Sequence, residues 1–214
     1  MKLVFVRHGE SEANVEGRLQ GHAEFHLSEI GRSQSRSLRE RFRIEGLQPT
    51  HIYSSPQQRT AETAQLVTSQ WPISIVYLDD LKEYDVGIFS GLTWNEIDTK
   101  YPETAHEFQK SRNWDIVQGS ETLTSRHDRA IRVVETIFAH HENNDVVLVF
   151  THGGILLYIL AVLIGTERIW GIPVNNTAVF SFTLDLDQWS LGDGRLQNPF
   201  LWSIVHFNDT SHLD

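Results

Sequence analysis

The chain has no cysteine among its 214 residues. Disulfides, thiolate nucleophiles and cysteine–zinc sites are therefore excluded. Positive charge is scarce: 18 lysines and arginines stand against 28 acids, for a net charge of −10. Nucleic acid and anionic membrane surfaces need a basic field, so neither is expected as a partner. An anionic ligand would have to be held by a few local arginines working against the global field. Long apolar runs are also missing. The longest, Ile155 to Gly165, falls short of the ~20 residues that cross a bilayer. Arg7 interrupts any apolar leader, so no secretory signal is expected and a cytoplasmic location is. No Pro/Gly/Ser-rich linker, repeat or low-complexity tract divides the sequence, which predicts one domain over 1–214.

What is present alternates. Segments 2–6, 51–53, 73–77, 146–150, 177–184 and 201–207 read as buried strands. Between them lie helix patterns. Residues 28–43 open with Ser28 as N-cap and carry Leu38 and Phe42 at i, i+4 spacing. Residues 56–69 open with Ser55 as cap and Pro56 at the first helical position. Residues 122–140 place Leu123, Ala130, Val134, Ile137 and Phe138 roughly on one face, and 154–164 are apolar all round, as in a deeply buried helix. The alternation predicts an α/β fold: a three-layer α/β/α sandwich on a mostly parallel sheet of about six strands, one edge strand antiparallel. Residues 80–120 fit the alternation least well. Apart from a short helix pattern near 93–100, they read as a long excursion covering the ligand side of the sheet.

Two strands end in unusual residues. "KLVFVRHGES" turns from an apolar run into Arg7 and His8, and "DVVLVFTHGG" ends in His152 and two glycines. In an open α/β sheet, ligands bind beyond the carboxyl ends of the strands. Glycine after each histidine permits tight turns and close backbone approach. A helix starting near Gly154 would offer free N–H groups to an anion. Arg7, together with Arg59 in the first turn of the helix after 51–53, adds fixed positive charge. Two arginines, two histidines and a helix N-terminus at one place describe a phosphate pocket.

Each residue alone has a plainer reading. A single histidine at a strand end is commonly a hydrogen-bonded structural group, Arg7 an ion-pair partner, Arg59 a solvated helix residue and Glu83 a loop acid. The joint pattern carries the argument. A zinc site built from His8 and His152 with Glu83 or Glu10 is the rival reading. Arg7 and Arg59 would crowd such a cation, and no H-x-x-x-H or H-E-x-x-H spacing occurs, so no metal or other cofactor is expected.

"VRHGES" resembles the signature of the histidine phosphatase superfamily, the phosphoglycerate-mutase-like proteins. The likeness continues in order through "ESEAN", "GRLQGHAEFHLSEIG", "IYSSPQQRTAETA", "LKEYDVGIFSG", "QGSETL", "VFTHGG" and "NNTAVFSF". The resemblance implies a single catalytic pocket in which His8 takes the phosphoryl group as a phosphohistidine. It implies that Arg7, Arg59 and His152 clamp the phosphoryl oxygens, with Asn14 and Gly153 adding hydrogen bonds. Glu83 would be the acid that protonates the leaving oxygen and later activates water. Phosphoryl transfer rests on positioning and electrostatics, so fixed arginines can replace a metal. The nucleophile must be neutral imidazole, and Arg7, Arg59 and a protonated His152 are expected to depress its pKa.

The family's common "Q-G-x-x-D-x-P-L" here reads "QGHAEFHL", with Glu24 and His26 in place of Asp and Pro, and "W-E-G" reads "FSG". Gln20, Gly21, His22, His26 and, near the chain end, His212 are the candidate substrate contacts. Mutases of this family carry extra basic residues in the covering segment. Between Glu83 and Gly119 this chain has only Lys100, Lys110 and Arg112, which favours a phosphatase. The ending "FNDTSHLD" resembles that of metal-independent phosphoserine phosphatases, so phosphoserine is the expected small phosphorylated metabolite. Phosphoglycerates, sugar phosphates and α-ribazole phosphate are alternatives, as are a cofactor-dependent mutase and a non-catalytic phospho-ligand module. Trp170 and Ile172 are candidates for a homodimer contact.

Overall fold

A computed structural model describes residues 1–166, 168–169, 171–188 and 202–214. β1 (Lys2–Arg7), β2 (His51–Ser54), β3 (Ile75–Tyr77), β4 (Val146–Thr151), β5 (Val179–Leu184) and β6 (Trp202–Asp209) form one sheet in the order β3-β2-β4-β1-β5-β6. The pairs β3–β2, β2–β4 and β4–β1 are parallel, while β1–β5 and β5–β6 are antiparallel. The expected antiparallel strand is thus β5, one place in from the edge, with β6 outside it.

Alternation along β1 separates the two faces of the sheet. Leu3 and Phe5 pack with Val147, Val149 and Phe180 under α6 (Leu123–His140) and α7 (Gly153–Ile164). Val4 and Val6 pack with Leu148 and Phe150 under α2 (Glu29–Ile44) and α3 (Gln58–Thr68). These are the three layers of an α/β/α sandwich. α7 is buried nearly all round, as its composition requires. Among the described residues, no helix is long and apolar enough to cross a membrane.

Of the boundaries that differ from expectation, two have an evident cause. α3 begins at Gln58 with Gln57 as N-cap, not at Pro56 with Ser55 as cap. The Ser55 and Gln57 side chains are engaged elsewhere, and Glu24 supplies the cap, its Oε2 accepting from Gln58 N at 2.8 Å. β5 begins at Val179 rather than 177, because Thr177 has a φ of 55°. That left-handed conformation is rare for a β-branched residue and cannot extend a strand.

The covering excursion has its own architecture. After the short α1 (Glu12–Glu16) and the sheet's first half come two 3-10 turns, then α4 (Trp94–Lys100), α5 (Pro102–Ser111) and a third 3-10 turn. The alternation pattern predicts no helix over 102–111, but Pro102 stands at the first position of α5, where proline is favoured. Val86, Phe89, Ile97, Ala105, Phe108 and Val117 form a core of their own. The Phe89 ring is fully buried, with Trp94, Tyr101, Phe108 and Trp114 at centroid distances of 6.2, 6.3, 6.0 and 6.4 Å. Phe89→Ala is therefore expected to cost about 3–5 kcal/mol, read as a lowered urea midpoint for unfolding of the cover.

Candidate active site

A cavity of about 290 Å³ opens at the carboxyl ends of the central strands. Arg7, His8, Arg59, Glu83 and Gly153 all line it, as do Gln20 and Gly21. The strand ends place them. His8 N donates to Thr151 O at 3.0 Å, and Thr177 N donates to the carbonyls of Arg7 and His8 at 3.1 and 3.3 Å. Asn176 Nδ2 adds a bond to His8 O at 3.1 Å. The backbone that carries the nucleophile candidate is thus held from both sides.

Gly9 does not serve as a turn. A Cβ there would lie 2.6 Å from the carbonyl oxygen of Gly31, so glycine lets β1's exit pack against the start of α2. Gly9 N also donates to Thr63 Oγ1 at 2.9 Å.

His8 Nδ1 lies 2.7 Å from Gly9 O. A carbonyl only accepts, so Nδ1 carries the proton and Nε2 keeps its lone pair. Burial, then the charges of Arg7 and Arg59, hold the His8 pKa well below the ordinary imidazole value, against the opposing Gly9 bond. The ring is neutral at neutral pH, the state a nucleophile needs.

His152 is also buried, and its pKa too is pushed well below the ordinary value, by burial first and then by Arg59, His8 and Arg7. The expected protonated His152 is therefore replaced by a neutral ring, and the arginines alone supply the charge that depresses His8. His152 lies behind the cavity wall, its ring centroid 5.2 Å from that of His8. Its Nε2 is 2.8 Å from Ser55 Oγ and 3.1 Å from Thr60 Oγ1.

Arg59, on the first turn of α3, is almost fully buried. It donates to Ala23 O and Gly21 O, both at 3.1 Å. Burial lowers its pKa to about 10, opposed by Glu83 and Glu24. Arg7 donates from Nη1 to Val174 O. Among the described residues, Arg7 Nε and Arg59 Nε are buried N–H groups without a partner. A buried donor left unpaired is costly, and an anion at this spot would satisfy such groups.

Glu83 reaches the cavity from the cover, and it takes the helix terminus expected for a ligand. Its Oε2 accepts from Gly154 N and its Oε1 from Ile155 N, both at 2.9 Å, at the start of α7. This contact requires Gly154: a Cβ there would lie 2.2 Å from Tyr84 Cε1 and 2.6 Å from Glu83 Oε1.

Gln57 carries no signal in the sequence pattern. It is 2% exposed, its Oε1 accepts from Glu83 N at 2.8 Å, and its Nε2 donates to Gly21 O at 2.9 Å. It ties the acid, the Gly21 loop and α3 together. The rest of the lining is largely apolar, with Tyr84, Val86, Trp114, Leu157, Ile172 and Val174. Ile172, a candidate for a dimer contact, thus faces the cavity, and Trp170 lies outside the described residues.

His152, expected in the clamp on the phosphoryl oxygens, is thus not on the lining, and four other expected contacts are also elsewhere. Asn14 does not line the cavity; its Oδ1 accepts from Ser11 N and Ser11 Oγ at 3.0 Å in the capping box of α1. His22 is exposed beside Asp85, 3.5 Å away. His26 pairs with Glu62 on the surface. His212 lies against α2 near Arg41, and its Nε2 is 2.9 Å from Thr177 Oγ1. The Thr177 hydroxyl donates to Asn176 O at 2.7 Å, so His212 Nε2 carries the proton of this pair. The C-terminal turn thus braces the strained residue that holds the Arg7 and His8 carbonyls. Burial pushes the His212 pKa down to about 4.

The model of the histidine phosphatase superfamily (branch 1) matches residues 3–193. The chain is 34% identical over 215 residues to phosphoglycerate mutase-like protein 4 of Arabidopsis thaliana, covering 100% of this chain and 87% of that protein. It is 36% identical over 157 residues to a metal-independent phosphoserine phosphatase of the same plant, covering 72% of this chain and 65% of that protein. The solved structure of Bacillus stearothermophilus YhfR superposes with a TM-score of 0.82 at 29% identity, over 100% of this chain and 99% of that one.

The depressed histidines set the pH dependence of stability. Between the unfolded imidazole value and their lower folded values, the unfolded chain binds protons that the folded chain refuses. Stability is therefore full above about pH 6.5 and falls as pH drops toward the His212 value of about 4. Urea midpoints should fall steadily over that range. His212→Gln, which keeps a donor for Thr177, should make the slope shallower.

Proposed function

Because the chain belongs to the histidine phosphatase superfamily, branch 1, and is a phosphoric monoester hydrolase, we propose that it works without metal through a phosphohistidine on His8. The observation that carries this reading is the buried, neutral His8, with Nδ1 committed to Gly9 O and two guanidinium groups beside it. The phosphoryl group of a monoester takes the place between Arg7 and Arg59, which both line the cavity with His8. Nε2 of His8 attacks phosphorus in line with the leaving oxygen; the N–P bond forms as the P–O bond breaks. Charge spread over the phosphoryl oxygens meets fixed donors that need no reorganisation. The Glu83 carboxylate takes the proton carried by the bound monoester monoanion and passes it to the leaving oxygen. It then takes a proton from water, whose oxygen displaces His8 and releases inorganic phosphate. His152 supports the His8 ring from behind, and Gln57 and Gly154 fix Glu83.

Phosphoserine is the best single substrate, supported by the name of the metal-independent relative. One observation favours a second reading. Beyond the phosphate end the cavity is largely aromatic and aliphatic, and its third cation, Arg18, is tied to Glu16 and Glu96 at 2.5 and 2.7 Å. Such a wall suits an apolar or aromatic alcohol. Against a mutase stands the cover: Lys100, Lys110 and Arg112 are exposed and off the cavity, so they frame no second phosphate.

The test is phosphate release in EDTA from phosphoserine, 3-phosphoglycerate, a sugar phosphate and an aryl phosphate side by side. Turnover should persist in EDTA, and preference for phosphoserine or for the aryl ester decides between the two substrate readings. Loss of all activity in EDTA would overturn the metal-free mechanism. His8→Ala should remove turnover to background, and substantial residual hydrolysis would contradict its role. Glu83→Gln should slow the poorer leaving groups by about 10²–10⁴-fold and the aryl ester much less; equal slowing would contradict proton donation.

A further inference from the structure

One cluster of ligating side chains takes no part in this chemistry. His51 opens β2, His141 follows the last residue of α6, and Asp145 directly precedes β4. All three stand at the amino ends of the parallel strands, whereas His8 and His152 stand at the carboxyl ends. The Asp145 carboxylate is shared between the rings. Its Oδ2 is 3.3 Å from His141 Nδ1, and its Oδ1 is 3.6 Å from His51 Nδ1. The two imidazole centroids are 4.4 Å apart, and the three ligand atoms all lie within 4.8 Å of one another.

These separations have a meaning in coordination chemistry. A tetrahedral zinc ion with N and O ligands at ~2.0–2.2 Å keeps its ligand atoms roughly 3.3–3.6 Å apart. Each carboxylate–imidazole gap is of that size, one to each oxygen of Asp145, and the His51 ring, 48% exposed, would give up its 2.9 Å contact with Thr50 Oγ1 as it turns toward a shared ion. The His141 side chain is 1% exposed and already aimed. Supporting contacts are in place as well. His141 Nε2 is 2.9 Å from the Tyr53 hydroxyl, and Asp145 Oδ1 accepts from Thr50 Oγ1 at 3.0 Å. Metal-bound histidines characteristically use their second nitrogen in this way.

We propose that His51, His141 and Asp145 form a binding site for a borderline divalent cation, with Zn²⁺ the best-fitting occupant and water in the solvent-facing position. Two imidazoles and one carboxylate suit zinc better than the hard, all-oxygen-seeking Mg²⁺ or Ca²⁺. Without the cation, the carboxylate can only accept, so His141 Nδ1 carries the proton and the Tyr53 hydroxyl donates to Nε2. With it, Nδ1 binds the metal and the ring proton moves to Nε2, which donates to the Tyr53 oxygen. The hydroxyl serves either tautomer, and no proton is lost from the ring. An occupied site would clasp the end of α6 to β2 and β4, at the far end of the strands from the phosphoryl chemistry.

The test is calorimetric titration of the metal-free full chain with ZnCl₂ at neutral pH, beside His51→Ala, Tyr53→Phe and His26→Ala. Wild type should bind one equivalent, and Zn²⁺ should raise its thermal midpoint. His51→Ala should weaken binding by about tenfold or more and lose the thermal shift, while its phosphatase activity in EDTA stays at the wild-type level. Tyr53→Phe should weaken binding in the same direction, and His26→Ala should leave it unchanged. Absence of binding to wild type, as a purely hydrogen-bonded clasp would give, overturns the proposal. So does binding by His51→Ala as tight as that of wild type.

Discussion

The constraint on which the site depends is an excess of buried positive charge. Arg7 and Arg59 converge at the ends of β1 and α3, and Glu83 is the carboxylate that most relieves them both. Burial first, and then that field, keeps the His8 and His152 imidazoles neutral, the state a nucleophile needs. Within that field, Arg7 Nε and Arg59 Nε are buried with no hydrogen-bond partner among the described residues. A chain with a net charge of −10 can thus hold an anion, because two guanidinium groups are walled off from the acidic surface.

Keeping such a field in place takes rigid support. The sheet supplies it for Arg7 and His8, whose carbonyls are held by Thr177 and Asn176. Thr177 is in turn braced by His212 at the chain's end. The cover supplies Glu83, fixed by Gln57 and by the first amides of α7. Its separate aromatic core allows that segment to hold shape while contributing Tyr84, Val86 and Trp114 to the cavity wall.

Much of this was legible in the sequence, for identifiable reasons. Strand endings such as "VRHGES" and "VFTHGG" join a buried run to polar residues, and the α/β pattern says where strand ends must point. The five principal residues Arg7, His8, Arg59, Glu83 and His152 did come together. What failed was whatever depends on long-range partners. Gln57 gave no signal because a buried amide matters only through what it meets, here Glu83 and Gly21. Ser55 reads as a helix cap until His152, nearly a hundred residues away, claims its hydroxyl at 2.8 Å. His22 and His26 lie in a motif whose neighbours do face the cavity, but their own side chains point to surface acids. His212 proved to be a brace, a role that requires the unusual φ of Thr177 to be known first.

The central claim is that the tautomer of His8, fixed by the Gly9 carbonyl, makes Nε2 the attacking atom. The direct measurement is to trap the phosphoenzyme by rapid quench, isolate the His8 peptide and determine by NMR which ring nitrogen bears phosphorus. Phosphorus on Nε2 of His8 is the result this account predicts. Phosphorus on Nδ1 or on another residue, or turnover with no phosphoenzyme at all, would contradict it.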